Sequence, residues 1–149
     1  MKIFAQNKKV FFDYSIDEKL EAGIVLNGNE VKSIKEGNVV LSGAYVLFSD
    51  GKIILINCKI SKYKFSYKDS NLKEDRNRIL LLKKNEIEKL SGKIARKSIT
   101  ILPLKFYENS KGIIKIEIGI GKHKKLVDKK KQLKEKDLDR EAKRELKEK

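Results

Sequence analysis

At 149 residues the chain is long enough for one domain with a real core and too short for two domains plus a long tail. Its net charge of +15, from 36 Lys and Arg against 21 Asp and Glu, exceeds what solubility needs and points to a polyanionic partner. No run of about 18 apolar residues is present, and no apolar segment behind the amino terminus reads as a signal peptide, so the expectation is a cytoplasmic protein with no membrane partner.

In chain order, the first apolar run, residues 22–26, is rich in β-branched side chains and closed by Asn27 and Gly28, which predicts a strand. A short helix follows, with Val31 and Ile34 on one face, Glu30, Lys32, Ser33 and Lys35 facing elsewhere, and Gly37 at the left-handed cap. Residues 45–48 and 53–56 flank a four-residue turn of Ser49, Asp50, Gly51 and Lys52, a hairpin pattern. Over residues 61–78 the periodicity disappears. Lys62, Lys64, Lys68, Lys73, Arg76 and Arg78 alternate there with Tyr63, Phe65 and Tyr67, predicting a long basic loop whose aromatics either stack on bases or form one face of a half-buried strand.

Leu80, Leu81 and Leu82 restore an apolar run, and Ile87, Leu90 and Ile94 recur at helical spacing, predicting an amphipathic helix to about Arg96 that Gly92 weakens. A second hairpin is expected from residues 99–107 and 113–120 around Asn109, Ser110, Lys111 and Gly112. It places Ile114, Ile116, Ile118 and Ile120 on one face and Lys115 and Glu117 outward. Pro103 lacks an N–H, so its strand should be an edge or bulged there. The composition changes after Gly121. Residues 122–149 hold 13 Lys or Arg against 7 Asp or Glu, a tail of +6 behind a body, residues 1–121, of +9. Its thin stripe of Leu138, Ala142 and Leu146 predicts disorder alone and helix on a partner. The fold class is mainly β with helices (α+β). Five or six short strands and two or three helices fit a small antiparallel OB-like β-barrel, or an open sheet with a helix on one face.

Catalytic chemistry is sparse. A lone Cys58 makes no disulfide and reads as a buried apolar residue. His123, the only imidazole, stands among Lys122, Lys124 and Lys125, which disfavours its charged form and suits a solvated or phosphate-facing role better than base catalysis. Glu21, Glu30 and Glu117 lack metal-ligand spacing. No enzyme, metal or cofactor is expected. Lysine supplies 31 of the 36 basic residues, which favours diffuse phosphate contact over bidentate base reading.

Several segments together carry a resemblance. They are Asn7, Lys8 and Lys9 followed by Asp13 and Tyr14; Glu21, Ala22 and Gly23; Gly28, Glu30, Val31, Lys32 and Ser33; the leucine triplet at 80–82; and Ile118, Gly119, Lys122, Lys124, Lys125, Asp128, Lys129 and Lys130 before a charged tail. The chain resembles the SsrA-binding (SmpB) protein family over nearly its whole length. The resemblance implies a monomeric adaptor. Its OB-like barrel would bind the tRNA-like part of transfer-messenger RNA, and its tail would fold into a helix inside a stalled ribosome. It also implies RNA contacts at Asn7, Lys9, Glu21, Leu81, Lys115, Lys122, Lys124 and Lys125. Val127, Asp128, Lys129 and Lys130 would lie near the decoding centre, with the later helix in the empty messenger channel. Lys115 projects outward, Asn7 offers hydrogen bonds to base or ribose, Glu21 orders lysines or accepts from a base, and Leu81 is read as a contact or a packing residue. This chain has His123 where many relatives have Gly, and Val127 where they have a polar or aromatic residue. The rival class is a ribosomal structural or assembly protein.

Overall fold

A computed structural model of the protein describes residues 2–63, 73–95, 99–124 and 133. Among these residues the chain runs β1 (Lys2–Gln6), α1 (Lys9–Asp13), β2 (Tyr14–Ile24), α2 (Gly28–Lys35), β3 (Val39–Val40), β4 (Tyr45–Ser49) and β5 (Lys52–Ile56). It continues through β6 (Lys59–Ile60), β7 (Arg78–Leu81), α3 (Lys84–Ile94), β8 (Thr100–Glu108) and β9 (Ile114–His123). The fold is α+β and sheet-rich, as expected. Its antiparallel ladder returns on itself: β8 pairs with β4, then β5, β7, β2 and β9 follow, and β9 pairs again with β8. That ring of pairings fits the expected OB-like barrel better than the open-sheet alternative. β3 and β6 form a separate two-stranded ladder.

Both expected hairpins form. In the first, Ser49 already pairs with Lys52, so the loop is two residues, Asp50 and Gly51, and not four. Both have positive φ, 50° and 74°, the primed turn that matches strand twist. In the second, Asn109 Oδ1 accepts from the N–H groups of Lys111 and Ile113 at 3.0 and 2.9 Å, which closes the turn around Gly112. The four isoleucines of β9 are all buried, and they share the interior with Ala22, Leu55, Leu80, Ile101 and Phe106. α3 contributes Leu90 to the same core, and Lys93 near its end forms an ion pair with Glu18 of β2.

Pro103 lies inside the ladder and not on an edge. The register slips between Pro103 and Lys105, so the bulge that proline calls for is there. On its other side β8 changes partner, meeting β4 at the single registered pair Val46↔Ile101 and β1 from Lys105 onward. Asn7 fills the gap between those partners. Its backbone N–H donates to Leu104 O at 2.8 Å, and its side-chain amide donates to Pro103 O at 3.2 Å and to Leu41 O at 3.4 Å.

A second, smaller core lies outside the barrel, where Val10 of α1 packs with Leu102 and Leu104 beside Tyr14 and Ile16. Two glycines make room for it on the outer face of β9. A Cβ on Gly121 would come within 2.2 Å of Ser15 O, and one on Gly119 within 2.9 Å of Leu104 Cδ1. β2 is twice as long as the run that signalled it, because Tyr14, Ser15, Ile16 and the charged residues after them also pair with β9. β9 itself runs two residues beyond Gly121, and the Lys124 N–H then donates to Asp13 O at 2.8 Å.

Two sequence expectations are corrected in and beside α2. Glu30 and Ser33 do not face away from the core; both are buried together with Ile34. Arg76 and Arg78 are not free cations of a basic loop. Arg78 is wholly buried, donating from Nε to Glu30 Oε2 at 2.7 Å and from its two terminal nitrogens to the carbonyls of Cys58, Arg76 and Glu74. Arg76 completes a triad through its own ion pair with Glu30. Glu30 also closes a capping box with Asn27 at the start of α2. Lys64, Phe65, Tyr67 and Lys68 of the expected basic loop, Arg96 at the end of the expected helix, and the disorder and helix expected of the tail lie outside the described residues.

Candidate nucleic-acid interface

Of the residues named as RNA contacts, the described ones other than Asn7 lie along β2 and its neighbours, with Lys9, Glu21, Leu81 and Lys122 exposed and Lys115 and Lys124 half-buried. At one end is α1, which carries the exposed Lys9. The end of β9 packs beside α1: Lys124 Nζ donates to Phe11 O at 3.0 Å, and the exposed Lys122 pairs in register with Ser15. Lys19, a cation the sequence reading did not single out, lies over the Phe11 ring at 5.4 Å. His123 is exposed, meets the edge of Tyr14 with ring centroids 4.9 Å apart, and places Nδ1 3.0 Å from Lys124 O.

Further along the outer face of β2 comes Glu21, exposed, then Gly23, against which Leu81 of β7 packs. At about 3.3 Å per residue, Lys19 to Gly23 spans roughly 13 Å. Leu81 is 56% exposed, so it is not a packing residue of the core. Lys115 sits on β9 opposite Tyr107, and Lys105 is paired with Glu117 at 3.8 Å. Asn7 is the exception. It is 7% exposed, and both amide protons are directed to backbone carbonyls, so the donors expected for base or ribose hold the barrel seam instead. Lys125, Val127, Asp128, Lys129 and Lys130 lie outside the described residues.

Among the described residues no group of three or more His, Cys, Asp or Glu side chains is placed to hold a metal, and no helix is long and apolar enough to cross a membrane. Cys58 is buried, and burial pushes its thiol up to about 11.

A family model described as SmpB protein matches residues 4–148. The chain belongs to the SmpB family. It is 46% identical over 145 residues to an SsrA-binding protein of Coprothermobacter proteolyticus, covering 97% of each chain. It is 47% identical over 148 residues to an SsrA-binding protein of Nitratiruptor sp., covering 99% of each. A solved chain described as "tmRNA-SmpB: a journey to the center of the bacterial ribosome" superposes with a TM-score of 0.67 at 39% identity, over 82% of this chain and 85% of its own.

For this SmpB chain, reading the sequence missed Tyr107 and Lys105, which join the outer-face cluster around Lys115 and Glu117. The signal was available in strand parity, since Lys105 and Tyr107 alternate with the core residue Phe106. It was obscured because the bulge at Leu104 resets that parity halfway along β8.

Proposed function

We propose that this SmpB-family chain is an RNA-binding adaptor that holds the tRNA-like part of transfer-messenger RNA and delivers it to stalled ribosomes for trans-translation. The observation that carries this reading is the strip itself: Lys19, Glu21, Leu81 and Lys115 on the outer face of a barrel, with Lys9, Lys122 and Lys124 at its end. Barrels of this class bind oligonucleotides on such a face. Lysines at its end neutralise phosphate, while Glu21 and Leu81 suit base or sugar edges. On this reading Lys9, Glu21, Leu81, Lys115, Lys122, Lys124 and Lys125 touch RNA, and Asn7 acts by fixing the seam behind them. Val127, Asp128, Lys129 and Lys130 act at the decoding centre, and the rest of the tail acts in the messenger channel. Its place of work is then the cytoplasm, where ribosomes translate.

The adaptor is read as non-catalytic. His123 is exposed and held edge-on to Tyr14, and the thiol of Cys58 is buried and protonated near neutral pH, so neither is poised as base or nucleophile.

Recovery of the protein from cells, followed by sequencing of its bound RNA, tests the proposal. One abundant tRNA-like species, found with the protein on stalled ribosomes, is the expected result. Stoichiometric presence on all ribosomes with no such RNA would instead make it a structural or assembly protein. Neutralising Lys122, Lys124 and Lys125 together should flatten the dependence of log affinity on log salt, by about 0.7 to 0.9 for each phosphate no longer neutralised. An unchanged slope removes the three from the interface.

A further inference from the structure

Two carboxylates stand directly opposite each other on the outer face of the barrel, Glu21 on β2 and Glu117 on β9. Like charges so placed repel, and each has its own counterpart. Glu117 lies 3.8 Å from the ammonium of Lys105, its neighbour on β8. Glu21 instead accepts a hydrogen bond from the Tyr107 hydroxyl. Because Tyr107 is opposite Lys115 while Glu21 is opposite Glu117, the ring reaches diagonally over β9, between the side chains of Lys115 and Glu117. Lys105 Nζ lies over the same ring, 5.5 Å from its centroid.

Tyr107 is only 4% exposed although it belongs to the outer face, whereas Glu21 is exposed. A buried donor therefore grips an exposed carboxylate, and an ionised carboxylate has about four acceptor sites, so capacity remains for a ligand. Burial, reinforced by the hydrogen bond to Glu21, pushes the phenol well above its ordinary value, and it stays a donor at physiological pH.

We propose that Tyr107 is a positioning residue for RNA recognition: it holds Glu21 in one orientation, in which the carboxylate accepts from a hydrogen-bond donor on the RNA. This rests on the reading of Glu21 as an RNA contact. A carboxylate repels phosphate, so amid Lys19, Lys105 and Lys115 it marks the point where a base amino or imino group or a ribose hydroxyl arrives. An unheld glutamate gives up its rotamer freedom when the ligand binds. Tyr107 removes that cost beforehand.

The test uses the full chain, the tRNA-like part of transfer-messenger RNA, and the variants Tyr107→Phe, Glu21→Gln and their double. Binding is read at a temperature where every variant is on its folded melting baseline. Tyr107→Phe is expected to weaken binding about three- to tenfold, with the salt slope unchanged because every lysine still meets its phosphate. The double variant is expected to bind no more weakly than Glu21→Gln, the signature of two groups acting as one. Parent-like binding by Tyr107→Phe beside a weakened Glu21→Gln, or losses that simply add, overturns the positioning role and leaves the RNA face standing. If neither variant changes affinity while neutralising the lysines does, Glu21 is no contact and the proposal falls with it. Loss of the Glu21 effect on RNA carrying 2′-deoxyriboses assigns the donor to a ribose hydroxyl; persistence assigns it to a base.

Discussion

Arg78→Ala is expected to lower the unfolding free energy by about 3 to 5 kcal/mol, the usual cost of leaving one partner of a buried ion pair without the other. Arg78 is wholly buried, and all its guanidinium N–H groups have acceptors: Glu30 and the carbonyls of Cys58, Arg76 and Glu74, at 2.6 to 3.2 Å. Removing the side chain takes a donor from three carbonyls, of which Glu74 O keeps the Ile60 N–H, and leaves Glu30 with Arg76 as its remaining cation beside the Asn27 N–H. It also unties three separate stretches of chain, since Cys58 precedes β6, Glu74 lies in the segment between β6 and β7, and Glu30 is on α2. The urea midpoint checks this, with an unchanged m-value as the sign that stability alone has moved. A loss below about 1 kcal/mol, the range of exposed pairs, would mean that the cluster is not what anchors α2.

The same cluster sets an acid limit. Burial acts to raise the Glu30 carboxyl, but hydrogen bonds from Arg76, the Asn27 N–H and Arg78 outweigh it and hold the group below its ordinary 4.5. A carboxyl depressed in the folded state contributes stability above its unfolded pKa and loses it as pH falls through the folded one. The parent should keep this contribution down to about pH 4.5 and lose it below. Arg78→Ala, with one hydrogen bond and one cation fewer, holds the carboxyl less far down, so in the same urea series it should lose less stability to acid and complete that loss at a higher pH.

Cutting the chain after Lys131 is expected to abolish ribosome rescue while changing affinity for transfer-messenger RNA little. The truncated chain keeps every described residue of the strip from Lys9 to Lys124, and the basic junction through Lys131, but loses 18 residues of tail. Tagging of stalled nascent chains in cells lacking the native protein reads the first effect, and a binding titration at fixed salt reads the second. If the truncated protein still supported tagging, the tail would have no place in the messenger channel. A large loss of RNA affinity would move the tail into the RNA interface.

Much of the barrel was legible because its hairpins are local. The isoleucines of β9 repeat every second residue, and the Asp50–Gly51 and Asn109–Gly112 turns carry the residue types that their backbone requires. The first half of β2 was not legible. Its exposed residues Ser15, Asp17 and Lys19 alternate with half-buried ones that include the charged Glu18, so the apolar signal is too thin to reveal the strand, and the register slips between Ile16 and Glu18. β3 and β6, two residues each, are too short to have a period. Glu30 and Arg78 were read as solvated because charge is usually solvated. Their burial depends on each other, across 48 residues, which no local pattern expresses. In the candidate interface the lysines and Glu21 were named through the family resemblance. The burial of Asn7 and the part of Tyr107 emerge only once β8 is set beside its neighbours.

The position of β9 has a consequence for synthesis. The last strand among the described residues is clasped between β2 and β8, and its final residues pair with Tyr14 and Ser15, more than a hundred positions back. A nascent copy therefore cannot close its barrel until β9 has emerged, and one that ends before Ile114 has neither Lys115 nor the strand over which Tyr107 reaches Glu21. On the proposed function, copies that stop before β9 are then inert by construction. Without part of the proposed RNA face they would not compete with finished protein, in a cell whose difficulty is, by the proposed function, an accumulation of unfinished chains.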